Sequence, residues 1–266
     1  MFPGLLLVAA FMTLIIFLSR IYPNMKKTKW ERKIISANYL RVRDRGVLAD
    51  DVLIEAIKKD PLAWQLYIDL FKFYATPWDM KKLYDVMAFG AEKTNKPGII
   101  AMTAWCLMEE GEFEKAEEML KKDGVEEYLF DFSLQYFPLL YFKQEKYQEC
   151  EKAFVSFYKK LYNAVSYANE TDENKIFEDL SPDELIILVA ARKKLDKNWQ
   201  AAAKIIPLTS LHEENSWNSY YEKLTGEKAM LKVKTGIYGP PEKLFSLREK
   251  EINERIDTVK SILKIK

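Results

Sequence analysis

The stretch "EEGEFEKAEEMLKK", residues 109–122, decides the fold, because a similar stretch, "KQEKYQECEKAFVS", follows at residues 143–156. The two align at an offset of 34 residues, which pairs Gly111 with Glu145, Phe113 with Tyr147, Ala116 with Cys150, and Leu120 with Phe154. Apolar residues in both stretches recur at helical spacing. A helical stretch that is repeated at a fixed offset predicts a structure built from a repeated helical unit.

The composition of the whole chain agrees with a helical fold. The 266 residues are 48% hydrophobic and 30% charged, which is typical of a folded chain. Nine glycines and ten prolines interrupt it, and from Lys33 onward the apolar residues recur at helical spacing between short breaks. We therefore predict an all-α fold of packed antiparallel helices.

The repeated stretch also has weaker counterparts earlier in the chain. "TPWDMKKLYDVM" aligns 33 residues before the first copy, and Gly46, Ala49, Leu53, Ala56 and Pro61 fill comparable positions one step earlier. Ala116 and Cys150 are small where two helices would cross closely, Leu120 and Phe154 follow one turn later, and Gly111 suits a tight turn.

This pattern resembles the tetratricopeptide repeat, whose unit is a helical hairpin. The resemblance covers about residues 46–207 and implies a right-handed α-solenoid of antiparallel helical hairpins. This sequence departs from the family pattern at several positions. Trp78 and Glu145 stand where Gly111 does, Leu83 is larger than the usual small residue, and Pro138 occupies a small-residue position.

The later part of the chain contains an irregular spacing and then further helices. Trp199 follows Tyr147 by 52 residues, so a polar segment near residues 162–180 is predicted to be an insertion. Ser181 and Glu184 predict a capping box at the next helix start. Residues 208–266 are predicted to cap the solenoid, with a helix begun at Asn215 or Ser216, a break at Gly236 and 239–241, and a last helix over 242–264. Its predicted apolar stripe consists of Ile252, Ile256, Val259 and Leu263.

The N-terminal stretch has a different character. Residues 2–19 carry no charge, which predicts a transmembrane anchor over residues 1–20; a cleaved signal peptide is the alternative. Residues 20–45 carry nine basic and two acidic residues, a net charge of +7. This distribution predicts a basic juxtamembrane segment over 21–45, an outside N-terminus and a cytoplasmic repeat domain. Arg20–Arg45 either contacts anionic headgroups or serves as a plain stop-transfer signal.

The sequence contains no pattern that indicates catalysis. No phosphate-binding loop or metal-binding pattern appears, and the single histidine, His212, lies in a polar stretch. Cys106 and Cys150 are 44 positions apart, which suits neither a disulfide framework nor a metal site. We therefore predict no enzymatic activity, no cofactor and no metal. Because the part beyond residue 45 is net negative, we also predict no nucleic-acid partner.

The resemblance implies a concave groove lined by the first helix of each hairpin. Carrying the family's groove positions over by register gives Lys72, Met102, Trp105, Met108, Tyr136, Phe142 and Lys143. Methionine and aromatic side chains suit the apolar side of a partner helix or an extended peptide, with Trp105 as the expected anchor. The alternative is that these side chains belong to the core or are covered by the chain's own last helix.

Three functions follow as hypotheses. The first is a membrane-anchored scaffold or adaptor that binds a protein partner in the groove and holds it at the membrane. The second is a fixed structural subunit or assembly factor of a larger membrane complex, acting through its convex face and last helix. The third, a helical-repeat enzyme, requires a buried ionisable cluster. An open groove favours the first hypothesis and an exposed apolar patch favours the second.

Overall fold

The computed structural model describes residues 28–74, 80–131, 135–164, 181–197, 199–200, 216–238 and 242–265. These ranges contain twelve α-helices with defined bounds and no β-strand. The prediction of an all-α fold is therefore confirmed.

The chain divides into two compact units, one of residues 1–77 with 92–94 and one of residues 78–91 with 95–266. The first unit holds α1 (Lys29–Val42), α2 (Gly46–Lys59) and α3 (Trp64–Lys72). Most of α4 and all later helices lie in the second unit, and their bounds are as follows: α4 (Met80–Thr94), α5 (Pro97–Glu109), α6 (Phe113–Leu120), α7 (Val125–Asp131), α8 (Tyr136–Lys143), α9 (Tyr147–Ala164), α10 (Pro182–Lys194), α11 (Ser216–Tyr238) and α12 (Glu242–Ile265).

The first unit is a helical hairpin, α1 with α2, to which α3 is added against both. Its α1 begins with a capping box in which the backbone N–H of Glu31 donates to Thr28 Oγ1 at 3.4 Å. Arg41 of α1 donates to Asp69 Oδ2 of α3 at 2.7 Å and lies 3.9 Å from Asp50 of α2. Part of the predicted juxtamembrane segment is therefore a packed helix, and its Arg41 is engaged by carboxylates of its own unit.

No helix in the described ranges is long and apolar enough to cross a membrane. The longest of these helices, α12, has 24 residues, but charged residues recur along its whole length. This finding contradicts the predicted single-pass topology and the predicted membrane localisation. Residues 2–19, on which that prediction rested, and the beginning of the basic segment lie outside the described residues.

Four helices end in the same left-handed turn. The second residue after the helix has a positive φ in each case: 56° at Asp44, 74° at Gly111, 60° at Glu145 and 53° at Asp196. The next backbone N–H then donates to the carbonyl five residues earlier, over 2.9 to 3.0 Å. This is the Schellman arrangement, which satisfies the last carbonyls of a helix while reversing the chain. Because α2, α6 and α9 begin directly after it, the turn closes three helical hairpins.

The equivalent positions of the two repeated stretches lie in the interior of the second unit. Ala116 and Cys150 have no exposed surface, and Leu120 and Phe154 are buried one turn later. Ala116 and Leu120 belong to a core cluster formed mainly by α5–α8, and Cys150 and Phe154 belong to one formed mainly by α8–α12. Both cysteines of the chain, the other being Cys106 in α5, are buried and free.

The C-terminal helices follow the sequence closely. The capping box at the start of α10 is present, since Ser181 N donates to Glu184 Oε2 at 2.7 Å and Glu184 N donates to Ser181 Oγ at 3.3 Å. The helix α11 begins at Ser216 as predicted, but the predicted break at Gly236 is wrong because α11 runs through it to Tyr238. The last helix agrees with its predicted range within one residue. Most of the predicted insertion, from residue 165 onward, lies outside the described residues.

The left-handed turn at Gly111 can be tested by substitution. Gly111→Ala should lower the free energy of unfolding by about 1 kcal/mol, because a Cβ atom disfavours the left-handed conformation. Gly226→Ala is the matched control: Gly226 lies inside α11 and a Cβ added there would meet nothing within 4 Å, so the change should stabilise by about 0.5–1 kcal/mol. Chemical denaturation measures both changes, and an unchanged stability for Gly111→Ala would contradict the assigned turn.

Candidate functional site

The residues predicted for the groove lie in different environments. Lys72 belongs to the first unit and is exposed, with its Nζ 5.2 Å from the centre of the Phe73 ring. The other six belong to the second unit, where Met102, Met108 and Phe142 are buried in the core. Lys143 is nearly enclosed, with 10% of its side chain exposed.

The two remaining groove residues, Trp105 and Tyr136, are partly exposed and pack against the core cluster of α5–α8. Burial raises the pKa of the Tyr136 hydroxyl. Most of the predicted apolar lining in the second unit is therefore interior surface.

Lys143 is the centre of a buried charged cluster that the sequence did not reveal. Its Nζ lies 2.6 Å from Glu251 Oε2 and 3.2 Å from Glu109 Oε1. Arg248 pairs with the other oxygen of Glu109 at 3.0 Å, and Arg255 pairs with the other oxygen of Glu251 at 2.9 Å. Each of these five side chains is less than a fifth exposed. We call this group the Lys143 cluster.

The repeat itself brings the Lys143 cluster together. Glu109 is the last residue of α5 and Lys143 the last residue of α8, so both occupy the position two residues before the left-handed residue of their turns. They are 34 residues apart, the same offset that relates the two stretches. On α12, Arg248, Glu251 and Arg255 follow at spacings of three and four, which places them on one helix face.

Burial and the neighbouring charges act in opposite directions on the pKa values of Lys143 and Glu251. Burial alone lowers the pKa of Lys143, but the nearby carboxylates of Glu109 and Glu251 outweigh it and raise the pKa overall. Burial raises the pKa of Glu251, but Lys143 and Arg255 outweigh it and lower the pKa overall. Both groups are thereby moved away from neutral pH, whereas a general acid or base needs a pKa close to it.

The cavity beside the Lys143 cluster is too small for a typical small-molecule ligand. The cavity that Lys143 and Glu251 line has a volume of about 50 Å³, well below the roughly 300–1,000 Å³ of small-molecule sites. The cluster is thus an ionic attachment of α12 to the ends of α5 and α8, and Met108 and Phe142 line the same small cavity.

No group of three or more histidine, cysteine, aspartate or glutamate side chains that could hold a metal ion occurs in the described part of the chain. His212 lies outside that part.

An exposed apolar surface lies in the first unit. Ile35, Tyr39 and Val42 follow one another on α1 at spacings of four and three residues, so they share one face, and Val42 is 86% exposed. Val47 and Leu48, directly after the turn at Asp44, are also about half exposed. We call these five residues the turn patch.

Basic side chains surround the turn patch. The guanidinium of Arg43 lies 4.4 Å from the centre of the Tyr39 ring. Arg32, one turn before Ile35, and Arg45, at the turn, are exposed. The patch is therefore apolar at its centre and positively charged at its edge. Sequence reasoning assigned these residues to a juxtamembrane segment, although the helical spacing of its apolar residues was already visible.

The Lys143 cluster predicts a large difference between two lysine substitutions. Lys143→Met keeps the aliphatic length but leaves Glu109 and Glu251 buried without their shared cation, so it should lower the free energy of unfolding by about 3–5 kcal/mol. Lys250→Met is the matched control, because Lys250 pairs with Glu145 at the surface and the loss should stay below about 1 kcal/mol. Chemical denaturation of both variants measures the difference; equal losses would contradict the structural role of the cluster.

The same cluster predicts how stability depends on pH. The lowered pKa of Glu251 stabilises the folded state above the ordinary value of 4.5, and this contribution is lost as the pH falls through the lower folded pKa. The raised pKa of Lys143 stabilises below the ordinary value of 10.5, and this contribution is lost as the pH rises through the higher folded pKa. Stability measured by denaturation should therefore fall as the pH drops below the ordinary value of 4.5, with a smaller fall in Glu251→Gln. An equally steep fall in that variant would show that other carboxylates are responsible.

Comparison with known proteins gives one short similarity. A segment of 57 residues, 21% of this chain, is 39% identical to the capsid protein of Torque teno mini virus 1 (isolate TLMV-CBD279). This segment covers 9% of the length of that capsid protein. No family model matches the chain, and no solved structure matches it. These comparisons therefore assign the chain to no family.

Proposed function

We propose that this chain is a structural subunit or assembly factor of a larger protein complex and binds its protein partner through the turn patch. The observation that carries the proposal is the exposed apolar face of α1, together with the exposed Val47 and Leu48 directly after the turn. Apolar side chains that share one face and remain exposed are typical of interaction sites. Their position next to a rigid left-handed turn also limits the entropy that binding would cost.

The basic edge of the patch specifies the partner's chemistry. Ile35, Tyr39 and Val42 span two turns of α1, which matches the apolar stripe of one amphipathic helix laid against it. Arg32, Arg43 and Arg45 at the edge favour acidic residues beside that stripe. The proposed partner segment is therefore an amphipathic helix with acidic flanks.

An adaptor that captures its partner in the concave groove draws less support. In the second unit, Met108 and Phe142 are buried and Lys143 is bound to Glu251 of α12. A partner would have to displace α12 and replace its charges at these positions. The exposed part of Trp105 is the remaining support for this second function.

The proposal includes a tetratricopeptide-like stacking of the two hairpins of the second unit, α5 with α6 and α8 with α9. Its support is the equivalence of Gly111 with Glu145 in backbone conformation, and of Ala116 with Cys150 in burial. In this arrangement α10–α12 cover the end of the stack, as terminal elements of repeat proteins do.

Substitution of the turn patch tests the proposed function. Val42→Asp places a charge at the centre of the patch, so it should reduce recovery of a co-purifying protein at least tenfold, while Val42 is too exposed for the change to alter the melting temperature much. Ser36→Asp is the matched control, since it adds the same charge to an exposed polar position of α1. The measurement is affinity purification of the full chain from its native cells, quantified by mass spectrometry and paired with thermal melting.

Two outcomes would contradict the proposal. Equal recovery of every co-purifying protein with Val42→Asp and with the unchanged chain would exclude the turn patch as the binding surface. Loss of self-association alone, detected by sedimentation, would assign the patch to a contact between two copies of this chain.

A further inference from the structure

The second unit contains a cleft of about 320 Å³ that the proposed function does not use. It lies among α7, α8 and α9, and half-buried aromatic rings of Phe130, Tyr141 and Phe157 form its walls. The Phe130 and Phe157 rings meet with their centres 5.5 Å apart at an angle of 59°. This volume is at the lower end of the range for ligand sites, which suits one large apolar side chain with its adjoining main chain.

Gln135 is one of the residues that line this cleft. It is the N-cap residue of α8, yet its side chain makes no capping hydrogen bond. The side-chain oxygen and nitrogen are both buried, and neither has a hydrogen-bond partner in the described part of the structure. A buried amide in this state is costly, because it has lost its hydrogen bonds to water and gained none in return. Most buried polar groups in folded proteins are paired. If the Gln135 side chain turns toward the cleft, a ligand that supplies one donor and one acceptor side by side would satisfy both atoms.

Charged side chains of both signs lie at the edge of the cleft. Lys121 is already paired with Glu117 at 2.6 Å, and Glu126 adds a negative charge at the opening. Lys160 lies 4.7 Å from the centre of the Phe130 ring and has no ion pair among the described residues. Within the ranges that the structure describes, the edge therefore offers a cation without a carboxylate partner, next to an aromatic wall.

We propose that this cleft binds an extended peptide segment that carries a large apolar side chain beside an acidic residue. The apolar side chain enters between Phe130, Tyr141 and Phe157, and its main-chain N–H and C=O pair with the oxygen and nitrogen of the Gln135 amide. The acidic neighbour meets Lys160. A nucleotide would also use an amide and aromatic rings, but its phosphates would approach Glu126 and a lysine that is already paired.

This site is independent of the turn patch. All residues that carry the inference lie in the second unit, and those of the turn patch lie in the first. Variants of the cleft leave the turn patch unchanged, so the two proposals can fail separately.

The test titrates the isotopically labelled full chain with small blocked peptides and follows the side-chain amide signals by NMR. The probes are N-acetyl-aspartyl-phenylalanine amide, the same compound with alanine in place of phenylalanine, and adenosine monophosphate. The phenylalanine probe should bind with a dissociation constant in the millimolar range and shift the Gln135 amide signal, because such a ligand offers few contacts. The alanine probe should bind at least about tenfold more weakly.

Three substitutions complete the design. Gln135→Leu removes both amide atoms at similar size and should weaken the phenylalanine probe about tenfold, whereas Gln148→Leu, at an exposed glutamine of α9, should leave its binding unchanged. Lys160→Gln should weaken the aspartyl probe a few-fold. Because the Gln135 amide is unpaired within the described residues, Gln135→Leu should also keep or raise the melting temperature.

Each contrary result overturns the proposal. Equal affinity for the alanine probe, or unchanged affinity in Gln135→Leu, would exclude peptide recognition by this cleft. Tighter binding of adenosine monophosphate would assign it to a nucleotide instead. A melting temperature that falls by several degrees in Gln135→Leu would mean that the amide has a structural partner.

Discussion

The left-handed residue that reverses the chain after a helix is the constraint on which the hairpins depend. At Asp44, Gly111, Glu145 and Asp196 the same backbone conformation and the same hydrogen bond end a helix. Three of these residues carry a side chain, so they adopt the left-handed conformation at some cost in conformational energy. The burial that follows the reversals at Asp44, Gly111 and Glu145 offsets this cost, since small side chains such as Ala116 and Cys150 let the second helix approach closely.

The same constraint explains the charged cluster at the ends of α5 and α8. Because Glu109 and Lys143 precede equivalent turns, the repeat brings opposite charges to neighbouring helix ends. Charged side chains of α12 pair with both residues. The two ends of α12 are attached in different ways. Its first half contributes Arg248 and Glu251 to ion pairs, whereas its second half buries Ile256, Val259 and Ile262 in the apolar core. We expect the apolar half to contribute most of the stabilisation and the ionic half to set the register of the helix.

The sequence predicted the local features of the fold well and the long-range ones poorly. The all-α composition, the turn at Gly111 and the capping box at Ser181 follow from residue types within a few positions of each other. The turn at Asp196 was missed because an irregular spacing separates it from the earlier repeats. The cluster was missed because Lys143 and Glu251 are 108 residues apart, and nothing in a single sequence pairs two charges over that distance.

The membrane prediction was wrong for a related reason. Because residues 2–19 carry no charge, the prediction interpreted them as a membrane anchor. It then assigned the basic residues that follow to the bilayer surface. In the first unit, one of these residues, Arg41, is held by Asp69, and others surround an apolar helix face. The helical spacing of the apolar residues in 35–42 already indicated such a helix face. The prediction did not use it, because it considered only the net charge of the whole segment.

The two buried cysteines have a consequence for the chemistry of the chain. Burial raises the pKa of the Cys150 thiol to about 12 and also raises the pKa of the Cys106 thiol, so neither forms the thiolate that reacts with oxidants or alkylating agents. Their reactivity is therefore limited by how often the surrounding core opens. The folded chain carries two thiols that are protected from oxidative damage by packing alone, and it loses that protection wherever its core opens.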